Sequence, residues 1–598
     1  MTGRERHNRL EMRLLAKTLC LAAGLGLLLL SCGSKDNPSQ PGGESGKTTS
    51  LEAPSGLALK SAGKTQLVIQ WQPVTGAKGY SWKLTASGQA DRTDNTSQRN
   101  VTIADLRPGT SYTFLVQAVA DGGAVSAWSQ PLVCETLPDG SGGGETPPDA
   151  KSVCVDQPLV VEIGRTPVLG TSGLIQVFKA DGTLVDRIDM ADMAKVTVLE
   201  DGTMVPRETL DQETPVHTFM DLLHSTRYRP VHYTPLRISG TRLEIKLHNE
   251  ALDFGGSYYL TVDASVAGKA VDKDDYPFVV KAKPTGATLH VAADGSADFC
   301  TVQGALSYAT KLAKNDAVTV EVAAGTYREL LYLRDKNNLT IKGAGRDKTV
   351  IAYPNNESYA TGSGAAVQSK PALGAKAGAM GGRCLFLAES ADNLVIEDLT
   401  IENTFWVSDH KGQAETIYFN ADGKKLTIGG CNLISWQDTF LCKGEVWVHD
   451  SLIAGHVDFI WGYPKACLFE NCEIRSRAGG YIVQARVNNA SDKGFVFLNC
   501  KLTAEEGVSK GSVYLARSGG DTSVYDNVTY VNCEMSDVIA PAGWHTGKTP
   551  TPATPTATSG WKEYGTSGVS TASRNTYGKI LTASEAEPYS SKAAVLGW

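Results

Sequence analysis

The sequence predicts an all-β protein: a C-terminal right-handed parallel β-helix preceded by two β-sandwich domains. Three observations point there. Across 598 residues Gly is frequent (61) and Met rare (8), which favours turn-rich β structure over helical bundles. Residues 52–285 contain short alternating strands at regular spacing. From residue 286 onward a degenerate repeat recurs, the signature of a solenoid. The chain is too long for one core, so several domains are expected. A formal net charge of -7 without a long basic run argues against nucleic acid as a partner.

The chain opens with Arg4, Arg6, Arg9, Arg13 and Lys17 ahead of an apolar run from Leu19 to Leu30. That run is too short to span a bilayer comfortably and reads as a signal-peptide core, with Met12 an alternative start. It ends in Leu29-Leu30-Ser31-Cys32-Gly33, which resembles a bacterial lipobox. Cys32 is therefore expected to carry lipid. The expected location is the outer membrane, cell surface or periplasm, with the membrane touched through the anchor only. Residues 33–51 are rich in Ser, Gly, Pro and Lys and read as a tether.

Residues 52–136 form the first sandwich. The strands around Leu67 to Trp71, Gly79 to Leu84 and Thr113 to Val119 resemble a fibronectin type III domain, with Trp71 in the core and Tyr112 at the corner. Its expected role is a spacer rather than sugar binding. A second linker covers 137–151, with Gly140-Ser141-Gly142-Gly143-Gly144 at its centre. Residues 152–285 resemble a bacterial Ig-like domain, with no clustered catalytic chemistry. Its expected work is positioning the next domain.

The repeat reads apolar strand, small or polar pair, apolar residue. Its copies centre on Cys431, Ser451, Cys472, Cys500 and Cys533, with a weaker one at Leu399. Steps of 20, 21, 28 and 33 residues fit turns of about 20 residues with surface insertions. Twelve Cys in an exported chain invite disulfides. This spacing instead predicts an inward ladder of small buried side chains. No Cys/His spacing reads as a zinc site.

Asp438 lies seven residues after Cys431, and Asp458 seven after Ser451. They share one register on successive turns, which brings two carboxylates within roughly 5 Å. Like charges that close raise one pKa, leaving one proton donor and one ionised group. Val483-Gln484-Ala485-Arg486 and Tyr514-Leu515-Ala516-Arg517 read as a further shared register, with Arg486 and Arg517 aligned beside the carboxylates.

These segments resemble the pectin methylesterase family. Trp436-Gln437-Asp438-Thr439 and Val457-Asp458-Phe459-Ile460-Trp461-Gly462 match its two signature motifs. Gly325-Thr326-Tyr327-Arg328-Glu329 matches an early motif, Asp294 to Gln303 the opening segment, and Pro541-Ala542-Gly543-Trp544 with Glu563-Tyr564-Gly565 the C-terminal region. The resemblance covers about residues 288–598. It implies a secreted aspartyl esterase that removes methyl esters from pectin, acting in pectin degradation and cell-wall modification. Asp458 would be the nucleophile, Asp438 the general acid and base, Gln413 and Gln437 the oxyanion donors, and Arg517 the partner of Asp458. Trp461, Tyr327, Trp436, Arg486 and Trp544 are the expected substrate contacts, and Trp406 is a further aromatic candidate. A monomer acting on a polysaccharide, without metal or organic cofactor, is implied.

Two departures stand out. Gly412-Gln413-Ala414-Glu415-Thr416 breaks the family's apolar continuation after Gln413. Arg517 is followed by Ser518-Gly519-Gly520, without the aromatic residue the family places two positions on. An esterase for another esterified glycan, or a non-catalytic surface glycan-binding protein, are the alternative readings. Polysaccharide lyase or glycosidase chemistry fits the Gln-Asp and Asp-Phe-Ile-Trp-Gly contexts less well. Gly507-Val508-Ser509-Lys510-Gly511 matches a serine-esterase string but falls between two solenoid strands.

Overall fold

The structure, a computed structural model, describes residues 51–62, 65–136, 150–207, 218–360, 362–364, 382–405 and 412–598. The signal segment with Cys32, most of both linkers and Trp406 lie outside the described residues. Among the described residues no helix is long and apolar enough to cross a membrane.

The first domain is a seven-stranded sandwich of a three-stranded and a four-stranded antiparallel sheet. Alternation drives it: in Ser111–Ala120 every second side chain is buried, Phe114 and Val116 completely. Trp71 is 4% exposed and stacks on Phe114 at 5.9 Å. The Tyr112 hydroxyl accepts from the Arg107 amide at 2.9 Å and closes the corner.

The second domain pairs a five-stranded sheet with a three-stranded one around Val177, Leu243, Leu260 and Phe278. It also carries a hairpin, Met220–His224 with Tyr228–His232, that leaves the sandwich. Leu223 and Val231 of this hairpin belong to the β-helix core. Between them Arg229, fully buried, donates to four β-helix carbonyls: Leu331 at 2.6 Å, Leu385 at 3.0 Å, Gly382 at 3.1 Å and Cys384 at 2.5 Å.

From Thr288 onward the strands form one 22-stranded parallel arrangement, wound as a β-helix. One inward column runs Leu289, Val320, Ile341, Ile396, Ile428, Val448, Phe469, Phe497 and Tyr530. A second runs Tyr327, Ile351, Ile401, Leu433, Ile453, Ile474, Leu502 and Met535. The repeat marks the corner between them. Asp398, Gly430, Asp450, Asn471, Asn499 and Asn532 all have positive φ, a conformation that Gly, Asn and Asp tolerate. The next residue turns inward: Cys431, Cys472, Cys500 and Cys533 are at most 1% exposed, and every described cysteine is unbridged.

The first turn is sealed by the helix Val302–Ala309, whose side chains are nearly all buried. Glu329 caps it by accepting from the Val302 and Gln303 amides, each at 2.9 Å. Asp156 of the second sandwich accepts from the Cys300 and Thr301 amides at 2.9 and 2.7 Å, just ahead of that helix.

Candidate active site

The site forms just after the second inward column, ahead of the strand segments beginning Ile417, Phe440 and Ile460, which pair with one another in turn. Parallel pairing stacks three turns there. Gln413 bridges Gln437, the Trp436 carbonyl accepts from the His456 amide at 3.0 Å, and the Asp438 amide donates to the Val457 carbonyl at 3.0 Å. Asp438 therefore sits one turn from Asp458. Both adopt positive φ, 67° and 49°, backbone strain that turns each carboxyl out of the strand line. They are 2% and 5% exposed.

The two carboxyls have unlike surroundings. Arg517 grips Asp458 as a fork: Nε donates to Oδ1 at 2.7 Å and Nη2 to Oδ2. Gln484 Nε2 adds a third donor to Asp458 Oδ2 at 3.1 Å. Burial raises the pKa of Asp458, and Arg517 opposes the rise. Asp438 receives one donor, Arg383 Nη2 at 3.2 Å. Burial lifts Asp438 well above the ordinary carboxylate range, the neighbouring Glu415 charge adds to the rise, and Arg383 opposes it. These surroundings favour a proton on Asp438 and ionisation of Asp458, which accepts from three donors where Asp438 accepts from one among the described residues.

Two arginines orient two amides. Arg383 Nη1 donates to Gln413 Oε1 at 2.7 Å, and Arg486 Nε donates to Gln484 Oε1 at 3.0 Å. A guanidinium has no acceptor, so the oxygen of each amide must face its arginine and the NH2 must face away. Trp461, 6% exposed, lies between them, its ring centroid 4.9 Å from the Arg486 guanidinium and 5.8 Å from that of Arg383. Gln437 is half-exposed beside Asp438.

The structure brings together Asp438, Asp458, Gln413, Gln437, Arg517, Trp461 and Arg486, and it corrects the expected place of several. Arg486 is not aligned with Arg517: Tyr481 pairs with Tyr514 and Val483 with Ala516, so Gln484 takes that level and Arg486 stands two residues on, linked to Asp458 by hydrogen bonds through Gln484 and by its charge. Tyr327 is no substrate contact. It is 3% exposed in the first turn, three turns and ~14 Å from the level of Asp438, with its hydroxyl on the Ala323 carbonyl. Trp544 is no platform either: it is fully buried and stacked on Trp561 at 5.4 Å. Trp436 is covered by Arg477, 4.0 Å from its ring centroid. Ser509 lies on an exposed turn between two strands.

Sequence reasoning missed Arg383, Glu415 as its partner, and the role of Gln484. For Gln484 a signal existed, since period-two alternation puts it on the face of Arg486. Where the expected aromatic after Arg517 is absent, Ser518 is held by Asp526 at 3.0 Å. A half-exposed cluster lies alongside instead: the Tyr481 ring is 4.7 Å from the Arg517 guanidinium, and His545 meets Tyr481 and Tyr514 at 4.7 and 5.0 Å.

Comparison with known proteins agrees with this architecture. The sequence model of the family described as Pectinesterase matches residues 288–597, and that of the fibronectin type III domain residues 52–135. Pectinesterase 31 of Arabidopsis thaliana is 30% identical over 260 residues, covering 43% of this chain and 76% of that one. Pectinesterase A of Emericella nidulans is 29% identical over 262 residues, covering 43% and 74%. Among solved structures, the pectin methylesterase from Aspergillus niger aligns at 26% identity over 53% of this chain and 95% of that one, with a TM-score of 0.41. With a family match spanning more than half its length, on a parallel β-helix preceded by a fibronectin type III domain, the chain belongs to the pectinesterase family.

Proposed function

We propose that the protein hydrolyses methyl esters of pectin through a covalent intermediate on Asp458. The observation that carries this reading is the unequal pair: Asp458 in the fork of Arg517, one turn from the buried Asp438, which has a single donor among the described residues. An Asp458 carboxylate oxygen attacks the ester carbonyl carbon, and the carbonyl electrons move to its oxygen. The amide NH2 groups of Gln413 and Gln437 stabilise that oxyanion. As the C–O bond breaks, Asp438 passes its proton to the departing methoxide, giving methanol and an acyl-Asp458 anhydride. Asp438, now anionic, takes a proton from water as the water attacks. Collapse frees the galacturonic acid, which gives its proton to solvent, and restores both Asp residues. Arg517 and Gln484 keep Asp458 aimed, and ionised before the attack and after the collapse.

The absent aromatic after Arg517 favours one second reading, an ester on a differently decorated uronic-acid glycan, met by the Tyr481, Tyr514 and His545 cluster. Export and anchoring through Cys32 belong to the same proposal, and fatty-acid labelling lost in Cys32→Ser would test them. For the reaction, methanol and acetate release from methylated and acetylated pectins is measured beside Asp458→Ala. Methanol from the parent, reduced on the order of 10³-fold or more in the variant, supports the reading. Acetate alone moves it to the second substrate. Binding without release of either makes the protein a glycan-binding relic.

A further inference from the structure

Arg383 and Glu415 belong to neither signature motif, yet they lie against both halves of the reaction machinery. Arg383 stands just ahead of the strand Phe386–Glu389 and Glu415 just ahead of Ile417–Asn420, on adjacent turns. Their side chains are 6% and 0% exposed. Every face of the guanidinium is used. Nε donates to Glu415 Oε1 and Oε2 at 2.9 and 3.1 Å, Nη1 to Glu357 Oε2 at 2.5 Å and Gln413 Oε1 at 2.7 Å, and Nη2 to Asp438 Oδ2 at 3.2 Å. One side chain therefore orients an oxyanion donor and the general acid together.

A lone cation touching Asp438 would work against the chemistry, because it favours the ionised carboxylate and the step requires a proton. The buried anion on the same guanidinium removes that conflict. It is the acidic residue that breaks the apolar continuation after Gln413. Resting on the ester reading above, we propose that Arg383 and Glu415 are a charge-neutral positioning pair. Arg383 fixes Gln413 and Asp438, and Glu415 cancels its charge so that Asp438 retains the proton owed to the leaving alcohol.

The charges facing Asp438 are balanced accordingly. Glu415 and Asp458 favour its protonated form, and Arg383, Arg486 and the Asp458-bound Arg517 its ionised form. Glu357 completes the shell of Arg383 from a side chain that is 40% exposed, where water screens it. Burial pushes Glu415 itself up to about 7, against the attraction of Arg383. Where Glu415 is ionised, it is the larger of the two anionic influences on Asp438, ahead of Asp458.

The test is the pH dependence of kcat for methanol release by the full chain, for the parent, Glu415→Gln, Arg383→Gln and the double variant, with melting midpoints recorded beside it. Activity disappears as pH rises through the pKa of the general acid in the enzyme–substrate complex. Glu415→Gln leaves the water-screened Glu357 as the remaining carboxylate partner of Arg383 besides Asp438, and should move this alkaline limb down by about 1 pH unit or more. Arg383→Gln should lower the plateau by ~10- to 100-fold through loss of alignment. In the double variant the limb returns towards the parent while the plateau stays low, a pattern that general destabilisation does not produce. A folded Glu415→Gln with the parental limb overturns the proposal, as does Arg383→Gln with a parental plateau. If Glu415→Gln does not fold, the double variant decides: a low plateau with a near-parental limb supports the pair, and a parental plateau refutes it. Absence of methanol from the parent refutes the ester reading, and this inference with it, before any variant is assayed.

Discussion

Replacing Arg229 with Met should weaken the body of the enzyme and slow it at once. Arg229 comes from the second sandwich and ends among four carbonyls of the β-helix, at 2.5 to 3.1 Å. Hydrogen bonds from a charged donor contribute about 1.5–3 kcal/mol each, so four give a gross ~6–12 kcal/mol. Complete burial of the guanidinium offsets several kcal/mol of that. The net loss in Arg229→Met, which keeps most of the side-chain volume, is then ~3–5 kcal/mol. By calorimetry that is a fall in Tm of about 3–5 °C for the second sandwich and β-helix unfolding together. Two of the four carbonyls, Gly382 and Cys384, flank Arg383, so kcat should fall by ~10-fold as that side chain loses its setting. Asn355 Nδ2 also reaches both carbonyls at 3.0 Å, which limits the loss. An unchanged Tm would mean that desolvation cancels the four bonds. An unchanged kcat would mean that the sandwich does not support the site.

Two further outcomes follow from single side chains. Gln484→Leu removes one of three donors to Asp458 and the link to Arg486, and should lower kcat by ~10- to 100-fold with KM little changed; a drop confined to affinity would place Gln484 in substrate binding instead. Lys562 is fully buried and burial lowers its pKa from 10.5 to about 7. Between those values the unfolded chain binds the extra proton, so stability rises with pH across this window. Lys562→Met should therefore raise Tm at pH 6 and lose that advantage by pH 10, as followed by thermal unfolding at both values; a gain independent of pH would show that charge burial is not its cause.

The β-helix was legible because its corner has a strict backbone requirement. Each turn needs a positive φ followed by a small inward residue, and this shows directly as Asn-Cys, Asp-Ser or Gly-Cys. The carboxylate pair was legible for the same reason, since Asp438 and Asp458 count from that corner. Registers failed where insertions differ in length. Between Cys472 and Cys533 the loops absorb unequal numbers of residues, which misaligned Arg486 with Arg517 by two. Tyr327 and Trp544 read as sugar contacts because aromatic residues near motifs serve either surface or core, and only burial separates the two. Arg383 could not be found at all. Nothing local marks it, and its hydrogen-bonding partners come from three separate segments brought together by winding.

The buried thiols set a condition on how this protein ends its working life. Cys472, Cys500 and Cys533 succeed one another on adjacent turns, about 5 Å apart at the spacing of neighbouring strands. While the solenoid is wound, no oxidant reaches them. Once it opens, three near neighbours become reactive together in a chain that no longer holds them in order, and any cross-link formed then blocks rewinding. Heating in air should then be a one-way event whose apparent midpoint depends on scan rate, whereas a reductant should restore part of the signal on cooling. The durability of the enzyme outside a reducing environment is accordingly governed by how slowly the first turn unwinds, rather than by the depth of its equilibrium well.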